Sequence, residues 1–111
     1  MADIGNPNFF KIFKGKYEIT LPDGTKKHAM LSCTNDVILM AHLTSDANSL
    51  LATIPNELTP VRNLLFPCFI LGGTQLGYIL IDTTGKIRAD QPNKTYFTEG
   101  FSYNISSKFY G

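Results

Sequence analysis

The stretch from Ile54 to Ile87, IPNELTPVRNLLFPCFILGGTQLGYILIDTTGKI, constrains the fold more than any other part of the chain. It holds three prolines, Pro55, Pro60 and Pro67, spaced five and seven residues apart. Each proline fixes its own φ and pushes the residue before it toward extended backbone, so Ile54 to Pro60 is expected to be extended. Leu64-Leu65-Phe66 and Cys68 to Leu71 read as a strand interrupted at Pro67, because proline is confined to strand ends, bulges and edges. Gly72-Gly73 supplies a hairpin turn, and Gly77 to Asp82 reads as the partner strand. Asp82-Thr83-Thr84-Gly85-Lys86 suits a type I turn closed by a glycine in the left-handed conformation. No acid/base pair, metal cluster or phosphate loop interrupts the stretch.

The rest of the chain repeats the alternation of short apolar runs and turns. Residues 1–8, with Gly5, Pro7 and two Asn, read as an irregular arm, and residues 9–111 as one domain. Phe9 to Phe13 is expected to be a strand, Lys14-Gly15 a turn, and Lys16 to Leu21 a strand with Tyr17, Ile19 and Leu21 on one face. Pro22-Asp23-Gly24 turns the chain into a return strand over His28 to Cys33, and Thr34-Asn35-Asp36 turns it again. Val37 to Leu43 has the composition of a short buried helix, but its length of seven and its turn-rich flanks favour a strand. Ser45 to Leu51 has room for a helical turn capped by Ser45 or Asp46. Ile87-Arg88 returns, Asp90 to Asn93 is loop, and Phe101, Tyr103 and Ile105 share one face of a last strand. Short strands at turn intervals of about 8–15 residues predict an all-β chain, a compact antiparallel β-sandwich or β-barrel.

A chain of 111 residues fits one domain and buries enough surface for one core without staples. Charged residues make up 17% of it, against about 25% in an ordinary soluble domain, which points to a surface partly covered by another chain. The net charge is +1 and the longest basic run is Lys26-Lys27, so no nucleic-acid partner is expected. No apolar run is long enough to span a membrane, and MADIGNPNFF lacks the basic and apolar regions of a secretory signal. The sequons at Asn93-Lys94-Thr95 and Asn104-Ile105-Ser106 therefore read as chance. Cys33 and Cys68 both have apolar neighbours and read as two buried thiols rather than a disulfide.

Catalytic chemistry finds little to stand on. His28 and Cys33 are five apart on one predicted strand and so point to opposite faces, which excludes a local Cys–His pair. His42 sits in an apolar run and reads as a satisfied core or interface histidine. Six Asp and three Glu are scattered, and two His with two Cys give no metal-binding spacing. The expectation is a non-catalytic protein without cofactor or metal. Recognition is the alternative: saccharide sites use aromatic or His faces for stacking and Asp, Asn, Arg or Gln for hydroxyl hydrogen bonds. The densest such cluster runs from Arg88 to Tyr96, with Arg88, Asp90, Asn93 and Tyr96 as ligand candidates and Arg62 and Gln75 beside other loops.

Ile54-Pro55 with Glu57 and Pro60, then Phe66-Pro67, Gly77-Tyr78-Ile79-Leu80-Ile81 and Thr84-Gly85-Lys86-Ile87, resemble the C-terminal head domains of tailed-phage baseplate and tail-fibre proteins. The likeness is closest to receptor-binding proteins of phages infecting lactococci and related Gram-positive bacteria. It covers roughly Ile54 to Ile87 and extends loosely to the strand at Phe101. The resemblance implies a compact β-barrel head that forms a homotrimer at the virion tail tip and binds host cell-wall saccharides in clefts at or between protomers. The partners it implies are that saccharide, two further copies of the chain and other tail or baseplate proteins. Two features differ from the family: the chain has no Trp, which several such heads place beside the sugar, and only a short arm stands where shoulder and neck would be. That arm reads as belonging to an excised head or to a small accessory protein of the same fold. The family's binding residues lie in loops outside the matching pattern. A structural baseplate or virion module binding other phage proteins is the alternative reading, and a small hydrolase the third.

Overall fold

The computed structural model describes residues 13–73 and 75–106. The predicted arm and the Phe9 to Ile12 part of the first predicted strand lie outside the described residues. Among the described residues ten strands follow in chain order: β1 (Phe13–Thr20), β2 (Lys26–Ser32), β3 (Asp36–Leu39), β4 (Leu43–Thr44), β5 (Leu50–Thr53), β6 (Leu64–Phe69), β7 (Leu76–Ile81), β8 (Lys86–Ala89), β9 (Thr95–Tyr96) and β10 (Ser102–Asn104). Eight of them form one antiparallel sheet in the order β10-β3-β2-β1-β5-β8-β7-β6, curled into a half-barrel, and β4 pairs with β9. The all-β architecture is the one the turn spacing predicts.

Local chemistry explains most of the turns. Between β1 and β2, Asp23 accepts the Thr25 amide at 2.9 Å and Gly24 takes the left-handed conformation. Between β7 and β8, Oδ1 of Asp82 accepts the amides of Thr84 and Lys86 and the Thr84 hydroxyl. Gly85 closes that turn at φ 89°, and a Cβ there would lie 3.1 Å from the Ile54 carbonyl oxygen, so both backbone and space demand glycine.

Five expectations need correction. Lys14-Gly15 is not a turn, because a bulge between Phe13 and Gly15 absorbs the irregularity and β1 runs on opposite β2. Val37 to Leu43 is not one strand but two, β3 and β4, separated by a bend at Met40 to His42. No helical turn forms after Ser45; Oδ1 of Asp46 instead accepts the amides of Asn48 and Leu50, and Ser49 takes φ 64° to lead into β5. Ile54 to Pro60 is not wholly extended, since Asn56–Leu58 forms a 3-10 turn with the Leu58 amide on the Pro55 carbonyl and the Leu58 side chain buried. Pro67 does not interrupt β6. Its partner Tyr78 turns both backbone groups toward Asp90 on the β8 side, so the Pro67–Tyr78 pair exchanges no backbone bond and the missing N–H costs the ladder nothing.

The two ends of the curl are linked by a ribbon made of segments distant in sequence. At one end Asp36, Val37 and Ile38 oppose Asn104, Tyr103 and Ser102. Beyond the bend Leu43 opposes Tyr96 and Thr44 opposes Thr95, with the Thr98 hydroxyl holding the Ala41 carbonyl where the register slips. The same Thr95–Phe97 segment bonds the end of β6: Ile70 bridges Tyr96, the Leu71 amide donates to Thr95 and the Phe97 amide to Phe69. The ribbon thus joins β2 on one flank to β6 on the other.

Inside the curl lie Ile19, Leu31, Val37, Leu39, Leu43, Leu51, Leu58, Leu64, Ile79, Ile81, Ile87, Tyr96 and Tyr103. Each such side chain contributes roughly 1.5–3 kcal/mol by leaving water. The Tyr103 hydroxyl reaches the Leu58 carbonyl at 2.8 Å, tying the last strand to the 3-10 turn, and burial raises its pKa. Val37, Leu39 and Leu43, from the apolar run on either side of the bend, are buried in the chain's own core.

Candidate functional site

A cleft of ≈ 380 Å³ opens between the β1–β2 turn and the β4 region, a size ordinary for small-ligand sites. The turn supplies Leu21, Pro22 and Asp23, β2 supplies Lys27, the bend and β4 supply His42 and Thr44, and the loop after β4 supplies Ser45 and Asp46. These residues meet because the β3–β4 bend swings the chain back toward the β1–β2 hairpin.

His42 is half-buried, and its ring packs on Phe97 with centroids 4.7 Å apart at 49°. Its Nδ1 is buried and has no hydrogen-bond partner among the described residues. The sequence predicts a satisfied histidine here; instead this ring nitrogen has no partner among the described residues, an uncommon state for a buried polar atom. Around it the polar groups are fixed. The Thr25 hydroxyl and amide bond Asp23 and hold its carboxyl below the ordinary range. The Thr44 and Thr95 hydroxyls share a hydrogen bond at 2.8 Å. Ser45 is fully engaged: its hydroxyl donates to the Gln91 carbonyl and accepts the Lys94 amide, which pins the 91–94 loop behind the cleft.

The six residues expected to bind ligand do not converge. Asn93 comes nearest, its amide on the Asp46 carbonyl at 3.2 Å and its backbone left-handed at φ 55°. Arg88 lies on β8 and pairs with Asp82 at 3.3 Å. Arg62 and Gln75 are exposed at opposite ends of the β6–β7 hairpin, one beyond Leu64 and the other before Leu76, six residue pairs apart. Asp90 and Tyr96 satisfy each other. Tyr96 is 0% exposed, so the expectation that it offers a ring to a sugar is corrected: the ring belongs to the core. Its hydroxyl donates to Oδ1 of Asp90 at 2.5 Å, and the same oxygen accepts the Tyr78 amide. Burial, together with the Asp90 carboxylate, pushes the Tyr96 phenol up to about 12. Burial works on Asp90 in the upward direction too, but the bonds from Tyr96 and Tyr78 outweigh it and hold the carboxyl below its ordinary value.

The thiols also differ from expectation, because only Cys68 is buried while Cys33 is exposed. Cys68 donates to the Phe97 carbonyl, and burial raises its pKa. Among the described residues no group of three or more His, Cys, Asp and Glu is placed to hold a metal ion. No helix among them is long and apolar enough to cross a membrane. A second cleft of ≈ 470 Å³ lies at the seam where β1 leaves β5 after their single Thr20–Thr53 pair. Lys26 there already donates to the Thr20 hydroxyl, and among the described residues no buried side-chain nitrogen or oxygen at the seam lacks a partner, so the His42 cleft is the better candidate.

Compared with known proteins, the chain matches no family model, no curated protein and no solved structure.

Proposed function

We propose that this chain is a non-catalytic receptor-binding head, carried at a phage tail tip or baseplate, that recognises a cell-surface saccharide of a Gram-positive host through the His42 cleft. The observation that carries the reading is the unpartnered, buried Nδ1 of His42 beside a cleft rich in fixed polar groups. A sugar hydroxyl can donate to or accept from that nitrogen once the His42 ring turns its edge toward the cleft, and Asp23, Lys27 and Thr44 offer further donors and acceptors. Leu21 and Pro22 give the apolar wall against which the C–H face of a pyranose rests. The family resemblance over Ile54 to Ile87 supports the phage context, and a trimer of heads would present three such clefts and gain avidity from their number.

The test is calorimetric titration of the folded protein with wall polysaccharides extracted from lactococci and related bacteria. His42→Phe keeps a ring against Phe97 while removing both nitrogens, and Lys27→Ala removes one rim donor. Each is expected to weaken binding at least about 10-fold with the melting temperature unchanged or higher. A folded wild-type protein that binds none of these polysaccharides overturns the reading. That result leaves the second reading, a structural baseplate module, which the apolar outer face of the β6–β7 hairpin favours.

A further inference from the structure

The β6–β7 hairpin is apolar on both faces. Leu64, Cys68, Ile79 and Ile81 point into the core. On the other side the register sets Leu65 opposite Leu80, Pro67 opposite Tyr78 and Phe69 opposite Leu76. Phe69 is 66% exposed, Leu65 55% and Tyr78 48%. Leu71 continues the row beyond Phe69, and the Phe97 amide on the Phe69 carbonyl brings a further exposed aromatic ring alongside. From Leu64 to Ile81 the sequence contains no Lys, Arg, Asp or Glu. An outer strand face of a solvated sheet normally alternates to polar residues, and this one does not.

We propose that this face, the outer side of β6 and β7 with Phe97, is the surface through which copies of the chain pack on one another. The exposed apolar side chains amount to on the order of 600 Å², at the upper limit of what a lone soluble chain shows and close to the roughly 800 Å² per partner of a stable interface. A second copy suits the face because apolar meets apolar and no charge is left buried without a partner. The border has the polar rim of a protein–protein contact: the Arg88–Asp82 pair and Asp90 flank it on the β8 side. A bilayer is the poorer occupant, since β6 and β7 are six residues each and a membrane-spanning strand needs about 9–11. Because Phe97 also packs on His42, the neighbouring copy would stand at the lip of the cleft. The inference rests on the proposed head assembly for the number of copies and on the face alone for the contact.

The experiment is sedimentation velocity of the full chain across about 1–100 μM, a range that spans typical subunit affinities. The double variant Phe69→Lys with Tyr78→Lys is run beside it. Wild type is expected to be oligomeric, and the variant monomeric with unchanged circular dichroism and a dissociation constant raised at least about 100-fold. An oligomer that survives in the variant overturns the face while leaving the assembly intact; a wild type that is monomeric throughout overturns the self-contact. Flotation of that monomer with anionic vesicles would assign the face to a membrane instead and likewise overturns the proposal. Should the double variant misfold, Tyr78→Trp supplies the only Trp in the chain. Its emission is expected to shift to the red on dilution, and a concentration-independent spectrum overturns the proposal. Polysaccharide titration of the monomeric variant reports separately on the cleft.

Discussion

Tyr96 lies directly beneath Gly77, and its hydroxyl reaches past the glycine to the Asp90 carboxylate at 2.5 Å. A Cβ at position 77 would come within 2.8 Å of the Tyr96 ring, 2.9 Å of the Asp90 oxygen and 3.0 Å of Ile70. Gly77 therefore leaves room for a tyrosine that bonds β9 to the end of β8. The glycine of the Gly-Tyr strand, a mark of the resemblance, is explained by packing rather than by any ligand.

Gly77→Ala is expected to destabilise the protein by about 1–3 kcal/mol through overpacking. Tyr96→Phe, which removes one bond to Asp90 but leaves the Tyr78 amide on it, is expected to cost about 1–2 kcal/mol. Urea titration of both variants measures this, and a Gly77→Ala protein as stable as wild type would contradict the geometry.

The pH dependence has opposite signs at the two extremes. The Tyr96 phenol is raised to about 12 in the folded chain, so its contribution is complete below the ordinary value of 10.0 and is lost as pH climbs toward 12. Asp36, Asp82 and Asp90 are held below the ordinary 3.8, so their contribution is present above that value and is lost as pH falls below it through their lower folded-state values. Folding free energy measured against pH should decline at both ends. Tyr96→Phe should lose part of the alkaline decline, with Tyr103 and Cys68 retaining the rest.

Asp82 and Arg88 form an ion pair, yet their removal should not be equivalent. Asp82 organises the β7–β8 turn through two backbone amides and a hydroxyl, and Asp82→Ala is expected to cost about 1–3 kcal/mol. The Arg88 side chain is 43% exposed, and Arg88→Ala should cost less than about 1 kcal/mol. Equal thermal shifts for the two variants would refute this assignment of roles.

Thiol labelling gives a quick check on the core. A bulky disulfide reagent should modify one cysteine per native chain, Cys33, and two after denaturation, because Cys68 is buried with a raised pKa. Two rapid equivalents in the native protein would place Cys68 wrongly.

The turns and the inward faces were legible in the sequence because their causes are local. Tyr17, Ile19 and Leu21 alternate, Asp23-Gly24 and Asp82-Gly85 carry their own turn chemistry, and no distant residue is needed to read them. Pro67 was not legible as a mid-strand residue, since its tolerance depends on Tyr78 bonding toward Asp90 rather than toward it. Tyr96 and Asp90 were misread because a polar loop with planar side chains has the composition of a sugar site. Their mutual bond depends on space left by a glycine many positions earlier. The unpartnered nitrogen of His42 is a property of its surroundings, and nothing in the apolar run around it announces a missing acceptor or donor. The uncharged span from Leu64 to Ile81 did carry a signal: a half-buried hairpin of that length ordinarily shows charges on its outer face.

The ribbon between residues 36–45 and 94–104 also bears on how the chain comes off the ribosome. Until the segment from Lys94 onward has been synthesised, β3 and β6 each present an unpaired backbone edge, and β6 adds an uncharged apolar hairpin beside it. The nascent sheet is therefore sticky and open at both edges from the completion of β6 until Lys94 and the residues after it have emerged. Its last strands act as a clasp, sheltering both edges in one late, long-range step whose slowness follows from the sequence distance it spans.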